Sequence, residues 1–87
     1  MNINKPEILN NIGYTELVYN RINKKLKSSY TRIQIEALIF QTIQDTPEKY
    51  FQKIGKNYYI SNIEKNIKIT VNSNTFSIIT VDTITQN

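Results

Sequence analysis

Residues 45–59 read Asp45-Thr46-Pro47-Glu48-Lys49-Tyr50-Phe51-Gln52-Lys53-Ile54-Gly55-Lys56-Asn57-Tyr58-Tyr59. In this stretch the apolar period changes from that of a helix to that of a strand. Asp45-Thr46-Pro47 closes a helix, because proline cannot continue one and pushes the residue before it out of the helical region. Pro47 can start one further turn. From Tyr50 to Ile54 the chain can run as a strand into Gly55-Lys56. That is a Gly-X pair suited to a tight hairpin, with Asn57 to Asn62 as the return strand.

Upstream, everything reads as helix. Thr31 and Gln34 form a capping box before a helix over about 32–44, with Ile35, Leu38, Ile39, Thr42 and Ile43 as its buried face. Before it, Val18, Ile22 and Leu26 make one apolar stripe, and Thr15 is the expected N-cap of a helix over about 16–26. Glu16 complements the positive end of that helix dipole, and Lys24, Lys25 and Lys27 the negative end. Asn4, Pro6 and Glu7 predict a first short helix that Gly13 interrupts.

Downstream, everything reads as strand. Ile67, Ile69 and Val71 alternate with Lys68 and Thr70, the period of a half-buried strand. The Asn62–Asn66 and Asn72-Ser73-Asn74 stretches are turns. The last strand, about 75–85, carries Ile78-Ile79 at consecutive positions, which predicts a central strand covered on both faces. The expected fold is α+β. Two or three N-terminal helices, within about 4–47, pack on one face of a three- or four-stranded antiparallel β-meander within about 50–85. The other sheet face, or its edge, stays open to a partner. Residues 1–87 are read as a single domain.

Composition narrows the chemistry. The chain has 87 residues and a formal net charge of +4. It would bury roughly 60–65% of its unfolded surface, enough for one core and not for a deep pocket besides. Cysteine and histidine are both absent. That removes the thiolate nucleophile, the commonest general base near neutral pH and the commonest metal ligands. No phosphate-cradling loop exists, since the only glycines are Gly13 and Gly55. Catalysis is therefore less expected than binding, with no cofactor and no metal. No apolar run approaches a membrane span, and residues 1–9 lack a signal-peptide core, so a cytoplasmic setting in a bacterial host cell is expected. Asn, Ile, Lys and Tyr make up 43 of the 87 residues. All four have AT-rich codons, which suggests a low-GC bacterial or phage genome.

Two clusters carry the candidate binding residues. Arg21, Lys24, Lys25, Lys27 and Arg32 occur with no acidic residue between the first and the last. Such a run can track a phosphate backbone, with Tyr30 placed to stack on a base. Its competing reading is a solvated helix end whose lysines complement the dipole. Lys53, Lys56, Tyr58 and Tyr59 cluster in the hairpin, as in sheets that stack bases between cations. Its competing reading is strand packing, with one of the two tyrosines simply facing the core. The two clusters are expected to sit side by side as one contact surface.

Thr15-Glu16-Leu17, Arg21-Ile22, Gly55-Lys56-Asn57-Tyr58-Tyr59, Ile69-Thr70-Val71-Asn72 and Ile78-Ile79-Thr80 occur in this order. In them the chain resembles an uncharacterised family of small bacterial and phage proteins, the domain of unknown function 3781. The resemblance covers about residues 14–81. It departs from the family pattern at Tyr58, where tryptophan is expected, and at Val81-Asp82, where alanine-histidine is expected. The resemblance implies no activity. If that histidine acts chemically in relatives, this chain has lost it, and catalysis here is less expected.

The expected function is that of a non-enzymatic binding protein of phage or mobile-element origin, acting on a nucleic acid or a nucleic-acid-binding complex. One version is an anti-CRISPR-like inhibitor docking on a Cas effector. One alternative is a metal-independent RNase toxin of the RelE or barnase type, using Arg21, Lys53, Lys56, Tyr59 and Glu16. Another is a small structural subunit that oligomerises through a sheet edge.

Overall fold

The computed structural model describes residues 3–85. Helix α1 spans Lys5–Asn11, α2 Val18–Leu26 and α3 Arg32–Asp45. A single 3-10 turn, Glu48–Tyr50, leads into β1 (Phe51–Ile54), β2 (Asn57–Asn62), β3 (Ile67–Asn72) and β4 (Ile78–Thr83). The strands form one antiparallel sheet in the order β1-β2-β3-β4, so the α+β meander is confirmed.

Local chemistry accounts for most element ends. The Asn4 side chain accepts from the Glu7 amide at 3.0 Å, which caps α1. The Thr31 hydroxyl accepts from the Gln34 amide at 3.2 Å, and the Gln34 side chain accepts from the Thr31 amide at 2.8 Å. That closes the capping box at the start of α3. Gly55 adopts φ +61° at the first position of the β1–β2 turn, and Lys56 is not among the positive-φ residues, the pattern of a type II′ hairpin.

Two expectations need correction. Helix α2 starts at Val18 and not at Glu16; Leu17 is its N-cap, with no side-chain cap bond. Thr15 contributes its carbonyl to the Val18 amide at 3.2 Å, so residues 15–17 form a turn before the helix. Strand β4 is shorter than expected and lies at the edge of the sheet, not its centre. Its apolar doublet comes from a register shift. Val71 pairs with Ile78 and Thr70 with Thr80, which leaves Ile79 extra in the ladder. Such a bulge lets neighbouring residues break strict alternation without a second covering layer.

The core lies between the helices and one sheet face. Ile8, Val18, Ile22, Ile35, Ile39 and Ile43 from the helices meet Phe51, Ile60, Ile69, Val71, Ile78 and Val81 from the strands. Each fully buried Ile or Val contributes about 1.5–3 kcal/mol of transfer free energy. Gln52, Tyr59, Lys68, Thr70, Thr80 and Asp82 alternate with these core positions and line the other sheet face.

Helix α3 crosses β2, while α2 lies along β4. The chain entering α2 is fastened to the β4 end by Gly13, whose amide donates to Phe76 O at 3.0 Å and whose carbonyl accepts from Ile78 N at 2.9 Å. The β4 edge is thereby covered by a helix, whereas β1 is a short edge strand carrying Lys53. Both are ways of blunting a sheet edge against unwanted pairing.

Candidate functional site

Helix α2 presents its polar residues in two directions. At 100° per residue, Arg21 and Lys25 share one flank, four residues apart, with Asn20 and Lys24 beside them. Tyr19 and Asn23 share the other. The first flank follows β4 and the second faces α3.

On the β4 flank, Arg21 Nη1 donates to the Ile79 carbonyl at 2.9 Å. The bulge in β4 is thus tied to the helix by a cation that keeps its other N–H groups available. Lys25 Nζ lies 3.0 Å from Asp82 Oδ1, with about half of the lysine side chain still exposed. An open groove of about 670 Å³ runs here, lined by Asn20, Arg21, Lys24 and Lys25. Among the described residues Lys24 has no ion-pair partner. Lys27 ends α2 in the left-handed conformation, φ 54°.

The α3 flank is a clamp built from side chains. The Tyr14 and Tyr19 rings stack with centroids 5.4 Å apart. The Arg32 guanidinium lies 4.7 Å from the Tyr19 ring centroid. Arg32 also forms an ion pair with Glu16, reaching both carboxylate oxygens. The Tyr19 hydroxyl donates to Glu36 Oε2 at 2.7 Å. The Arg32 hydrogen bond and charge hold the Glu16 carboxyl below the usual carboxylate range. Burial, followed by the Glu36 charge, pushes the Tyr14 hydroxyl well above the usual tyrosine range. Burial and the hydrogen bond to Glu36 push Tyr19 up as well. Both phenols therefore keep their protons near neutral pH, which suits them to packing and hydrogen bonding and not to general-base work.

The basic run from Arg21 to Arg32 is therefore divided. Arg21, Lys24 and Lys25 line the β4-side groove. Arg32 belongs to the clamp, and Tyr30 is held on that same side by Asn23. The Asn23 amide donates to Tyr30 O and its Oδ1 accepts from Tyr30 N, each at 3.0 Å. The run has no acid in sequence, but the fold brings Glu16 to Arg32 and Asp82 to Lys25.

The hairpin cluster is divided too. Tyr58 packs against the core. Tyr59 lies on the opposite sheet face, with Lys68 Nζ 5.9 Å from its ring centroid. Lys53 and Lys56 are exposed at the β1 edge and its turn.

The expectation that the two clusters form one surface is overturned. Strands β2 and β3 separate β1 from β4, three inter-strand steps or about 14 Å. The ends differ as well. The Lys56 carbonyl accepts from Ser73 N at 2.7 Å, which places the hairpin tip beside the β3–β4 turn. Asp82, which holds Lys25, pairs with Lys68 toward the other end of the sheet. The five residues of the RNase reading disperse for the same reason. Arg21 sits at the β4 edge, Glu16 in the clamp, Lys53 and Lys56 at the far edge, and Tyr59 on the open sheet face.

Sequence reasoning passed over Asn20, Tyr14, Tyr19 and Glu36. Asn20 was accessible from its spacing of four to Lys24. The clamp is tertiary, and no local spacing pointed to it. Among the described residues no group of three or more His, Cys, Asp or Glu could hold a metal ion, and no helix is long and apolar enough to cross a membrane. The model of the family described as "Protein of unknown function (DUF3781)" matches residues 7–82. No curated protein and no solved structure matches.

Proposed function

The chain belongs to the DUF3781 family, which assigns no activity, and from its geometry we propose that it is a non-enzymatic binding protein engaging a polyanion through the α2 groove. The observation that supports this reading is the convergence of Arg21, Lys24 and Lys25, with the Asn20 amide, along one open groove. Arg21 is oriented by its bond to the Ile79 carbonyl and offers its remaining N–H groups as a planar fork that suits phosphate oxygens. Lys24 and Lys25 add point charges within one helical turn. Lys25 would exchange Asp82 for a phosphate, a modest change for a pair so open to solvent.

Nucleic acid, free or within a nucleoprotein, is the partner this chemistry fits. Three cations in line are few for a duplex groove reader and suit a short stretch of backbone. One form of the proposal is an inhibitor of a bacterial defence system docking on a nucleic-acid-loaded effector. A net charge of +4 argues against the opposite strategy, mimicry of DNA.

The test is fluorescence anisotropy of a labelled single-stranded oligonucleotide titrated with the protein at several salt concentrations. Three phosphate contacts predict a log–log salt slope of about −2. No binding at low salt, or binding without salt dependence, would sink the proposal.

A further inference from the structure

The sheet face turned away from the helices joins the α2 groove at one point. Asp82 stands on that face, yet its carboxylate is held by Lys25, which reaches it from α2 across the β4 edge. Asp82 pairs across the ladder with Lys68, and Lys68 Nζ lies 5.9 Å from the Tyr59 ring centroid. The groove, Asp82, Lys68 and Tyr59 therefore follow one another across β4, β3 and β2. Strands β4 and β2 are two inter-strand steps apart, about 10 Å. Tyr59 is half-buried, and its hydroxyl lies 3.5 Å from Asn57 Nδ2, so the ring leans along β2 and does not stand out from the sheet. Gln52, the β1 partner of Tyr59, lines a shallow groove of about 490 Å³ together with Ser61 and Tyr50. Thr70 and Thr80 complete the row that Gln52 and Tyr59 begin. One ring among amides and hydroxyls, beside a lysine, suits the faces and edges of unpaired bases and not the apolar surface of a folded protein.

We propose, resting on the α2 groove being a polyanion site, that its ligand is single-stranded nucleic acid, whose bases turn over the β4 edge onto this face. One base stacks on Tyr59, and a neighbouring base meets the Gln52 amide and the Ser61 hydroxyl. The Lys25–Asp82 pair couples the two surfaces. A phosphate in the groove takes Lys25 from Asp82. The freed carboxylate then has Lys68 directly opposite, at the Cβ spacing of about 5 Å of a cross-strand pair, and draws that lysine off the ring. Binding of the backbone thus clears the Tyr59 face for a base. A duplex cannot use this face, because its bases already stack on one another. Lys53 and Lys56, at the β1 edge and its turn, take no part.

The test compares two labelled strands of equal length by fluorescence anisotropy at low salt. One is oligothymidylate, and the other is its abasic analogue, which keeps the phosphates and lacks the bases. The parent should bind the first at least about fivefold more tightly, the smaller value of a single base–aromatic stack. Tyr59→Leu should abolish this preference while leaving the abasic affinity unchanged, and its thermal melt checks the fold. The chain has no tryptophan, which allows a second readout. Tyr59→Trp, a change that strands accept, places a single reporter on the open face. Its fluorescence should be quenched by oligothymidylate and not by the abasic strand. Equal affinity of the parent for the two strands, a preference that survives Tyr59→Leu, or quenching that is the same with both strands overturns the assignment of this face. Salt-dependent binding of the abasic strand would in that case leave the α2 groove standing. Failure of the parent to bind either strand sinks the groove and this assignment together.

Discussion

Thr46→Val and Thr42→Val are the same isosteric change, four residues apart, at two fully buried positions. They should have opposite effects. The Thr46 hydroxyl donates to the Thr42 carbonyl at 2.6 Å and accepts from Asn62 Nδ2 at 3.0 Å. Asn62 in turn accepts from the Lys65 amide at 2.8 Å, so this hydroxyl ties the end of α3 to the β2–β3 turn. Valine at position 46 deletes two hydrogen bonds and leaves the Asn62 amide buried without that partner. At about 1 kcal/mol per bond, plus the desolvation of the orphaned group, the loss is about 2–4 kcal/mol. The Thr42 hydroxyl is buried with no partner among the described residues. Valine there removes an unsatisfied polar group and should stabilise by about 1 kcal/mol. In a domain of this size each kcal/mol moves Tm by about 4–8 °C. Thermal melts followed by circular dichroism should thus show Thr46→Val falling by about 10–25 °C and Thr42→Val rising by a few degrees. Equal shifts, or a Thr46→Val variant within a degree or two of the parent, would refute the hydrogen-bond assignment.

Two further outcomes are expected. Lys27 holds φ 54° at the end of α2, a conformation glycine adopts without strain; Lys27→Gly should raise stability by up to about 1 kcal/mol in denaturant titrations. Tyr14 and Tyr19 have raised values, so their neutral forms favour the fold. Their contribution is complete below the ordinary tyrosine value of about 10 and is lost as pH rises toward their folded values. Absorbance titration at 295 nm should show a late phenolate phase coincident with alkaline unfolding, and Tyr14→Phe should shrink that phase.

Features with local causes were readable in the residues. The α3 capping box, the Gly55 turn and the Asn57–Asn62 strand follow from neighbours within four positions, and the structure reproduces them. The β4 doublet misled because a bulge and a fully covered strand give the same pair of adjacent isoleucines. Thr15 misled because a good capping residue also closes a simple turn. The candidate site was readable as a list of cations and not as a surface. Arg21, Lys24 and Lys25 share a flank by helical spacing, but Arg32 is turned away by Tyr19 and Glu16. The strand order, set by the whole meander, carries Lys53 and Lys56 to the opposite edge. Contacts such as Arg32 with Glu16 and Lys25 with Asp82 span 16 and 57 positions, beyond any local pattern.

The central claim is that the α2 groove, and not the hairpin, is the contact surface. Charge reversal at each place tests it directly, because Lys24→Glu and Lys56→Glu alter net charge equally. Oligonucleotide affinity measured for both at one low salt concentration should fall at least about tenfold for Lys24→Glu and no more than about threefold for Lys56→Glu, the residual effect of long-range charge alone. Equal losses in the two variants, or a larger loss at Lys56, would contradict the account.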